Sequence, residues 1–240
     1  MSGVLNDQAA RGAKCATESI GIMPRKFTTV IFDFGGVITS SPFEAFNRFE
    51  AERGFPIDTI RRINAANPDG NAWAQFERAA IDAAAFDRLF AEEAAALGHQ
   101  ISGREILALL SGEIRAAMVA MLDQLKREGY VLGCITNNAP SGKGAGMAGT
   151  TEKAEAIGAI MARFDHVIES SKAGIRKPDP RIYQMICDTL TVPPEACIYL
   201  DDLGINCKPA AALGMHAIKV VNEAQALEDL RAALYISGDD

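Results

Sequence analysis

From Met118 onward the chain alternates between amphipathic stretches and short apolar runs, a pattern that leaves few folds open. The spacing predicts helices over 118–128, 151–163, 180–190, 206–213 and 223–234, with strands over 130–135, 166–169, 196–200 and 217–221. Strands separated by helices of this length pair through right-handed crossovers, which gives a parallel sheet with helices on both faces. An earlier apolar and β-branched run, Thr28-Thr29-Val30-Ile31-Phe32, supplies a first buried strand. It ends at Asp33, followed at once by Phe34-Gly35-Gly36-Val37. A carboxylate at the carboxyl tip of such a strand, in a turn that two glycines let bend sharply, is placed as a nucleophile or as a metal ligand.

Between Pro42 and Ala116 the period changes. Phe43 and Phe46, Trp73 and Phe76, Phe86 with Leu89 and Phe90, and Ile106 with Leu109 and Leu110 recur at helical spacing. Breaks fall at Gly54-Phe55-Pro56, Asn67-Pro68-Asp69-Gly70 and Gly98, and Ser102 is a candidate N-cap. The expected organisation is an N-terminal extension over 1–26, an α/β core formed by 27–41 and 117–240, and an inserted helical segment over 42–116, placed at the lip of the sheet to act as a lid. The glycine-rich run Ser141–Gly149 reads as a loop and lacks the register of a nucleotide-binding phosphate loop.

Three further polar stations lie at or just beyond strand ends. They are Thr136-Asn137-Asn138, Lys177-Pro178 and the pair Asp201-Asp202. Together with Asp33 they can converge on one crevice at the carboxyl edge of the sheet. If Asp33 is the nucleophile, it forms an aspartyl-phosphate and divides one difficult displacement into two easier ones. Attack of one anion on another calls for a cation, and Asp33, Asp202 and the Gly35 carbonyl offer the hard oxygens that Mg²⁺ prefers. Lys177 would neutralise the phosphoryl oxygens and position Asp33, while Thr136 and the backbone amides around Asn137 would donate to the same oxygens. Asn206, one turn into the next helix, would support metal-bound water or orient Asp202. Cap side chains such as Trp73, Phe76 and Arg78 would set specificity.

A net charge of −7 argues against nucleic acid or an anionic membrane surface as partner. No apolar stretch approaches the ~20 residues of a membrane helix. Five cysteines without CxxC spacing read as reduced thiols, so the expected setting is cytoplasmic, with a monomer or homodimer taking a small phosphorylated metabolite. His99, His166 and His216 lack partners at motif spacing and read as structural.

The runs Phe32–Ile38, Ile135–Asn138, Phe164–Ser170, Lys177–Tyr183 and Leu200–Ala210 resemble the haloacid dehalogenase superfamily. Within it they are most similar to the phosphatase-like domains of soluble epoxide hydrolase and of acyl-CoA dehydrogenase fusion proteins. The resemblance implies a Rossmann-like three-layer core, a helical cap and Mg²⁺-dependent phosphate monoester hydrolysis. By position it makes Asp33 nucleophile and metal ligand, Asp202 the second metal carboxylate, Thr136 and Asn137 phosphate ligands, Lys177 the charge stabiliser and Asp201 its positioner. Phosphatases of this superfamily usually carry a second Asp two residues after the nucleophile, as acid and base; here that position is Gly35. Two alternatives follow: hydrolytic dehalogenation through the same nucleophile without metal, and a catalytically weak domain that binds a phosphometabolite or a partner.

Overall fold

The computed structural model describes residues 25–138 and 150–235. Most of the expected N-terminal extension and all of the glycine-rich run at 141–149 lie outside them.

Five strands form one parallel sheet: β1 (Thr29–Phe32), β2 (Val131–Thr136), β3 (His166–Glu169), β4 (Cys197–Asp201) and β5 (His216–Lys219), in the order β3-β2-β1-β4-β5. The order reverses at β1, which pairs with β2 through Phe32 and Cys134 and with β4 through Phe32 and Leu200. A crevice therefore opens beyond the carboxyl ends of these three strands, where α/β sheets bind their ligands. Every residue of β1 is buried, because helices cover both faces.

Eleven helices are defined among the described residues. In chain order they are α1 (Pro42–Arg53), α2 (Thr59–Ala65), α3 (Ala72–Glu77), α4 (Ala83–Ala96), α5 (Gly103–Ala108), α6 (Ala116–Arg127), α7 (Thr151–Met161), α8 (Ser170–Ala173), α9 (Pro180–Leu190), α10 (Gly204–Ala212) and α11 (Glu223–Tyr235). Val30 and Phe32 face the side packed by Met118, Leu122 and Leu125 of α6 and by Leu227 and Leu230 of α11. Ile31 faces the other side, against Ile182, Tyr183 and Ile186 of α9. This alternation is the period-2 geometry of a strand sandwiched between helix layers.

Helices α1 to α5 form a third hydrophobic cluster of their own, centred on Phe46, Phe76, Phe86 and Phe90. Local chemistry sets their ends. Gly54 stops α1 in the left-handed region, Asp82 accepts from the Ala85 N–H to start α4, and Ser102 with Glu105 forms a capping box at α5. The chain enters and leaves this cluster along one path, since the Ser40 N–H donates to the Glu113 carbonyl at 2.8 Å and the Arg115 N–H to the Ile38 carbonyl at 2.9 Å. Short α8, between β3 and the Lys177 loop, was not anticipated from the sequence; four residues are too few for a helical period to register.

Candidate active site

Asp33 leaves β1 with its N–H donating to the Leu200 carbonyl of β4 at 2.8 Å, which carries the strand pairing one residue beyond the ladder. Its Oδ1 accepts from the Phe34 N–H at 2.6 Å and from Lys177 Nζ at 2.8 Å. Oδ2 accepts from no described residue. The turn then closes on the Phe34 carbonyl, which accepts from the N–H groups of Val37, Ile38 and Thr39. Its glycine requirement sits at Gly36, where φ is +81° and an added Cβ would fall 2.2 Å from Asp202 Oδ2. Gly35 is different, because its backbone is outside the left-handed region and a Cβ there would meet only Pro42 Cδ, at 4.0 Å.

Lys177, 1% exposed, reaches this point from the loop between α8 and α9. Its three ammonium protons meet three acceptors at the ends of three strands: Asp33 Oδ1 at 2.8 Å, Asp201 Oδ2 at 2.8 Å and the Ile135 carbonyl at 2.9 Å. None of its protons is left to donate to a ligand, so what Lys177 offers the cavity is its charge and its hold on Asp33. Asp201, wholly buried, also accepts from the Tyr199 hydroxyl at 2.5 Å, the Leu203 N–H at 2.8 Å and Asn206 Nδ2 at 3.0 Å and 3.1 Å. The expectation for Asn206 is corrected here: its amide braces Asp201, with no bond to Asp202.

Asp202 has a single described donor, the Ser41 hydroxyl, 2.7 Å from Oδ2. Thr136, at the end of β2, is buried, and its hydroxyl bonds to no other described residue. Asn137 spends its side chain on the Lys177 backbone, donating to the carbonyl at 3.0 Å and accepting from the N–H at 2.9 Å. It therefore offers a ligand its backbone N–H, and its side chain fixes the Lys177 loop. All the expected core site residues, Asp33, Gly35, Thr136, Asn137, Lys177, Asp202 and Asn206, line one cavity of about 600 Å³, with Asp201 buried beneath them.

Carboxylate oxygens of Asp33, Asp201 and Asp202 lie within 4.8 Å of one another. Burial pushes the Asp33 carboxyl well above the usual carboxylate range; Lys177 opposes this, and Asp201 and Asp202 reinforce it. Burial also raises Asp202, partly offset by the Ser41 hydroxyl. For Lys177 burial works toward the neutral amine, but the Asp201 and Asp33 charges outweigh it and hold the ammonium. Three acids around one lysine leave excess negative charge, and an all-oxygen donor set suits a hard divalent cation. Asp201 is saturated by its donors, so the carboxylates free to ligate are Asp33 and Asp202. The Gly35 carbonyl accepts from no described residue and completes the set, whereas the Gly36 carbonyl takes a bond from Arg115 at 2.7 Å.

The roof of the cavity belongs to α1, α2 and α3. Trp73 lines it, as do Phe43, Phe46, Arg61 and Glu77. Phe76 does not: it is 1% exposed, stacked on Phe86 inside the helical cluster. Arg78 does not line it either: it donates to the Asp69 carbonyl at 3.0 Å and lines a neighbouring cavity instead. Sequence reasoning missed Arg176, which pairs with Glu77 of α3 at 2.6 Å and joins the helical cluster to the Lys177 loop. Ser170 adds a second tie, donating to the Glu77 carbonyl at 2.7 Å.

A family model for haloacid dehalogenase-like hydrolases matches residues 27–214. The chain belongs to that family. Among relatives of this hydrolase, mouse acyl-CoA dehydrogenase family member 10 is 32% identical over 219 residues, covering 88% of this chain and 19% of its own length. Mouse bifunctional epoxide hydrolase 2 is 34% identical over 127 residues, covering 51% of this chain and 22% of its own. The matched segments span about a fifth of each of these longer proteins. A family enzyme from Bacteroides thetaiotaomicron, solved in complex with magnesium and inorganic phosphate, shares the fold with a TM-score of 0.54 at 19% identity, covering 89% of this chain and 96% of that one. No helix among the described residues is long and apolar enough to cross a membrane.

Proposed function

We propose that this hydrolase is a Mg²⁺-dependent phosphatase that cleaves a small organic phosphate monoester through an aspartyl-phosphate on Asp33. The observation that carries the reading is the pairing of a free Asp33 Oδ2 with the lightly bonded carboxylate of Asp202, both at the floor of one cavity. In this reading Asp33, Asp202 and the Gly35 carbonyl hold Mg²⁺, which when bound shields the nucleophile from the phosphoryl charge. Thr136 Oγ1 and the Asn137 N–H donate to the phosphoryl oxygens. Lys177, fixed by Asp201, holds the Asp33 carboxylate in place for attack on phosphorus in line. Water then cleaves the acyl phosphate and returns Asp33. Residues 42–116 serve as the cap, and the substrate's organic part lies beneath it. The magnesium and phosphate bound by the Bacteroides enzyme agree with this chemistry.

Hydrolytic dehalogenation would use the same nucleophile without metal. Asp202, kept at the cavity floor at the cost of a crowded acidic cluster, favours the metal-dependent reading. The test is release of phosphate from a panel of phosphorylated metabolites with Mg²⁺ and with chelator. Asp33→Asn is expected to lower turnover by on the order of 10⁴-fold and to abolish trapping of a beryllofluoride adduct. Activity that survives chelation, or an Asp33→Asn variant near the parent rate, overturns the proposal.

A further inference from the structure

The side of the cavity that receives the organic part of the substrate is aromatic and aliphatic. Phe43 and Phe46 of α1 meet edge to face at 5.7 Å, and Phe46 meets Trp73 of α3 in the same way at 6.5 Å. Phe46 is buried, while Phe43 and Trp73 are half-buried with surface left toward the cavity. On the opposite rim Ile205, in the first turn of α10, lines the same space and is 61% exposed, an unusual place for a large aliphatic side chain with nothing over it. The charged groups on this side are already matched. Arg176 pairs with Glu77 at 2.6 Å, and Arg61 lies 4.1 Å over the Phe43 ring with its Nε 3.4 Å from Asp58. Among the described residues lining this side, each arginine already has an acidic neighbour.

A second, independent observation concerns the leaving group. Position 35, where a proton donor would stand beside Asp33, carries no side chain. When the P–O bond breaks, its electron pair goes to the departing oxygen; Glu77, a carboxyl that also lines the cavity, is tied to Arg176, so that oxygen leaves as an anion and takes its proton from solvent. A phenol ionises near pH ~10, as the tyrosine side chain does. An alkyl alcohol resembles water and ionises only far above that. A phenolate leaves without help; an alkoxide does not, and general acid catalysis is worth roughly 10²–10⁴-fold where it is missing.

We infer that the substrates of this site are aryl phosphates, with an uncharged aromatic body lying against Phe43, Trp73 and Ile205 and the phosphate on its phenolic oxygen over Asp33. A cavity of 600 Å³ falls within the ~300–1,000 Å³ of small-molecule sites and has room for a fused ring system beside the phosphate. The inference rests on the phosphatase reading and narrows it.

The test uses the full chain with Mg²⁺ and five probes: acetyl phosphate, phenyl phosphate, 2-naphthyl phosphate, benzyl phosphate and butyl phosphate. Acetyl phosphate needs neither an acid nor a ring site, so it reports the sheet-edge chemistry alone. We expect 2-naphthyl to exceed phenyl phosphate roughly tenfold in kcat/KM through KM, since the two leaving groups are alike and only the ring contact differs. Phenyl should exceed benzyl phosphate at least about 100-fold through kcat, and Gly35→Asp should close most of that gap. Trp73→Leu, with Phe43→Leu as a second variant, should lower the naphthyl-to-acetyl ratio of kcat/KM several-fold. Turnover of acetyl phosphate with no preference for naphthyl over phenyl, or with butyl matching phenyl phosphate, overturns the aryl assignment and leaves the phosphatase reading standing. No turnover of any probe, acetyl phosphate included, overturns both.

Discussion

At the sheet edge Lys177, Asp201 and Tyr199 satisfy one another in a network closed to water, while across the same cavity Phe43 and Trp73 present half-buried aromatic rings, with Arg61 lying over the first. The first surface consists of charges that tolerate no loss. Removing one partner of a buried ion pair strands the other at a cost far above the net worth of the pair. The second is made of contacts that fill space, and these lose affinity gradually when trimmed. One enzyme thus combines a rigid reaction centre with a wall that is free to diverge, joined by the paired segments at Ser40 and Glu113 and by the Glu77–Arg176 contact.

The comparison is broken most directly at Asp201. Asp201→Ala orphans the Tyr199 hydroxyl and the Asn206 amide and leaves Lys177 with one carboxylate, so we expect a loss of about 3–5 kcal/mol in urea denaturation. A loss below about 1 kcal/mol would show that the network is not the rigid element described here. The Trp73→Leu variant used above provides the contrast, with a smaller loss and a cooperative transition.

A smaller effect separates the two neighbouring acids. Asp202 crowds an already acidic cluster and has one hydroxyl donor, so Asp202→Ala should abolish Mg²⁺ binding by calorimetry without lowering the melting temperature of the metal-free protein. A fall of several degrees would make Asp202 a structural residue, like Asp201.

Much of the sheet edge was legible in the sequence because strand ends are local signals. Asp33, Thr136 and the 201–202 pair each follow an apolar run, and parallel pairing forces such ends together. The partners were not legible. Asn206 lies one turn beyond Asp202 yet reaches back to Asp201, and Asn137 meets the backbone of Lys177, 40 positions away. Those bonds depend on where loops from distant segments cross, which no periodicity encodes. In the helical cluster, the mistake over Phe76 and Arg78 has a different origin. Helix α3 has only six residues, too few to fix which side faces the cavity, so Trp73 and Phe76 looked equivalent. The Glu77–Arg176 pair, 99 positions apart, left no trace in the sequence.

The smallest predicted effect lies within the cluster of helices α1 to α5, away from the cavity. Ser102→Ala removes the capping box of α5 and should cost about 1 kcal/mol. The Ser102 N–H and hydroxyl hold the Glu105 carboxyl below its ordinary value of 4.5. A depressed folded value means that this stabilisation is present above 4.5 and is lost as pH falls through the folded value. Denaturation at pH 7 and near pH 3 should therefore show the gap between variant and parent narrowing in acid. A gap that persists unchanged would place the cost in the serine alone, and turnover of acetyl phosphate should be indifferent either way.

The three acceptors of Lys177 come from the carboxyl ends of β1, β2 and β4, so a single ammonium measures the alignment of three strands at once. A slip of one residue in any of them would turn its side chains to the opposite face and remove an acceptor from reach. Misregistered molecules, even compact ones, could not close the three acceptors around Lys177. The contact set of Lys177 is in this sense an assay of folding: the fraction of chains in which it meets all three acceptors counts those whose central strands have closed in register.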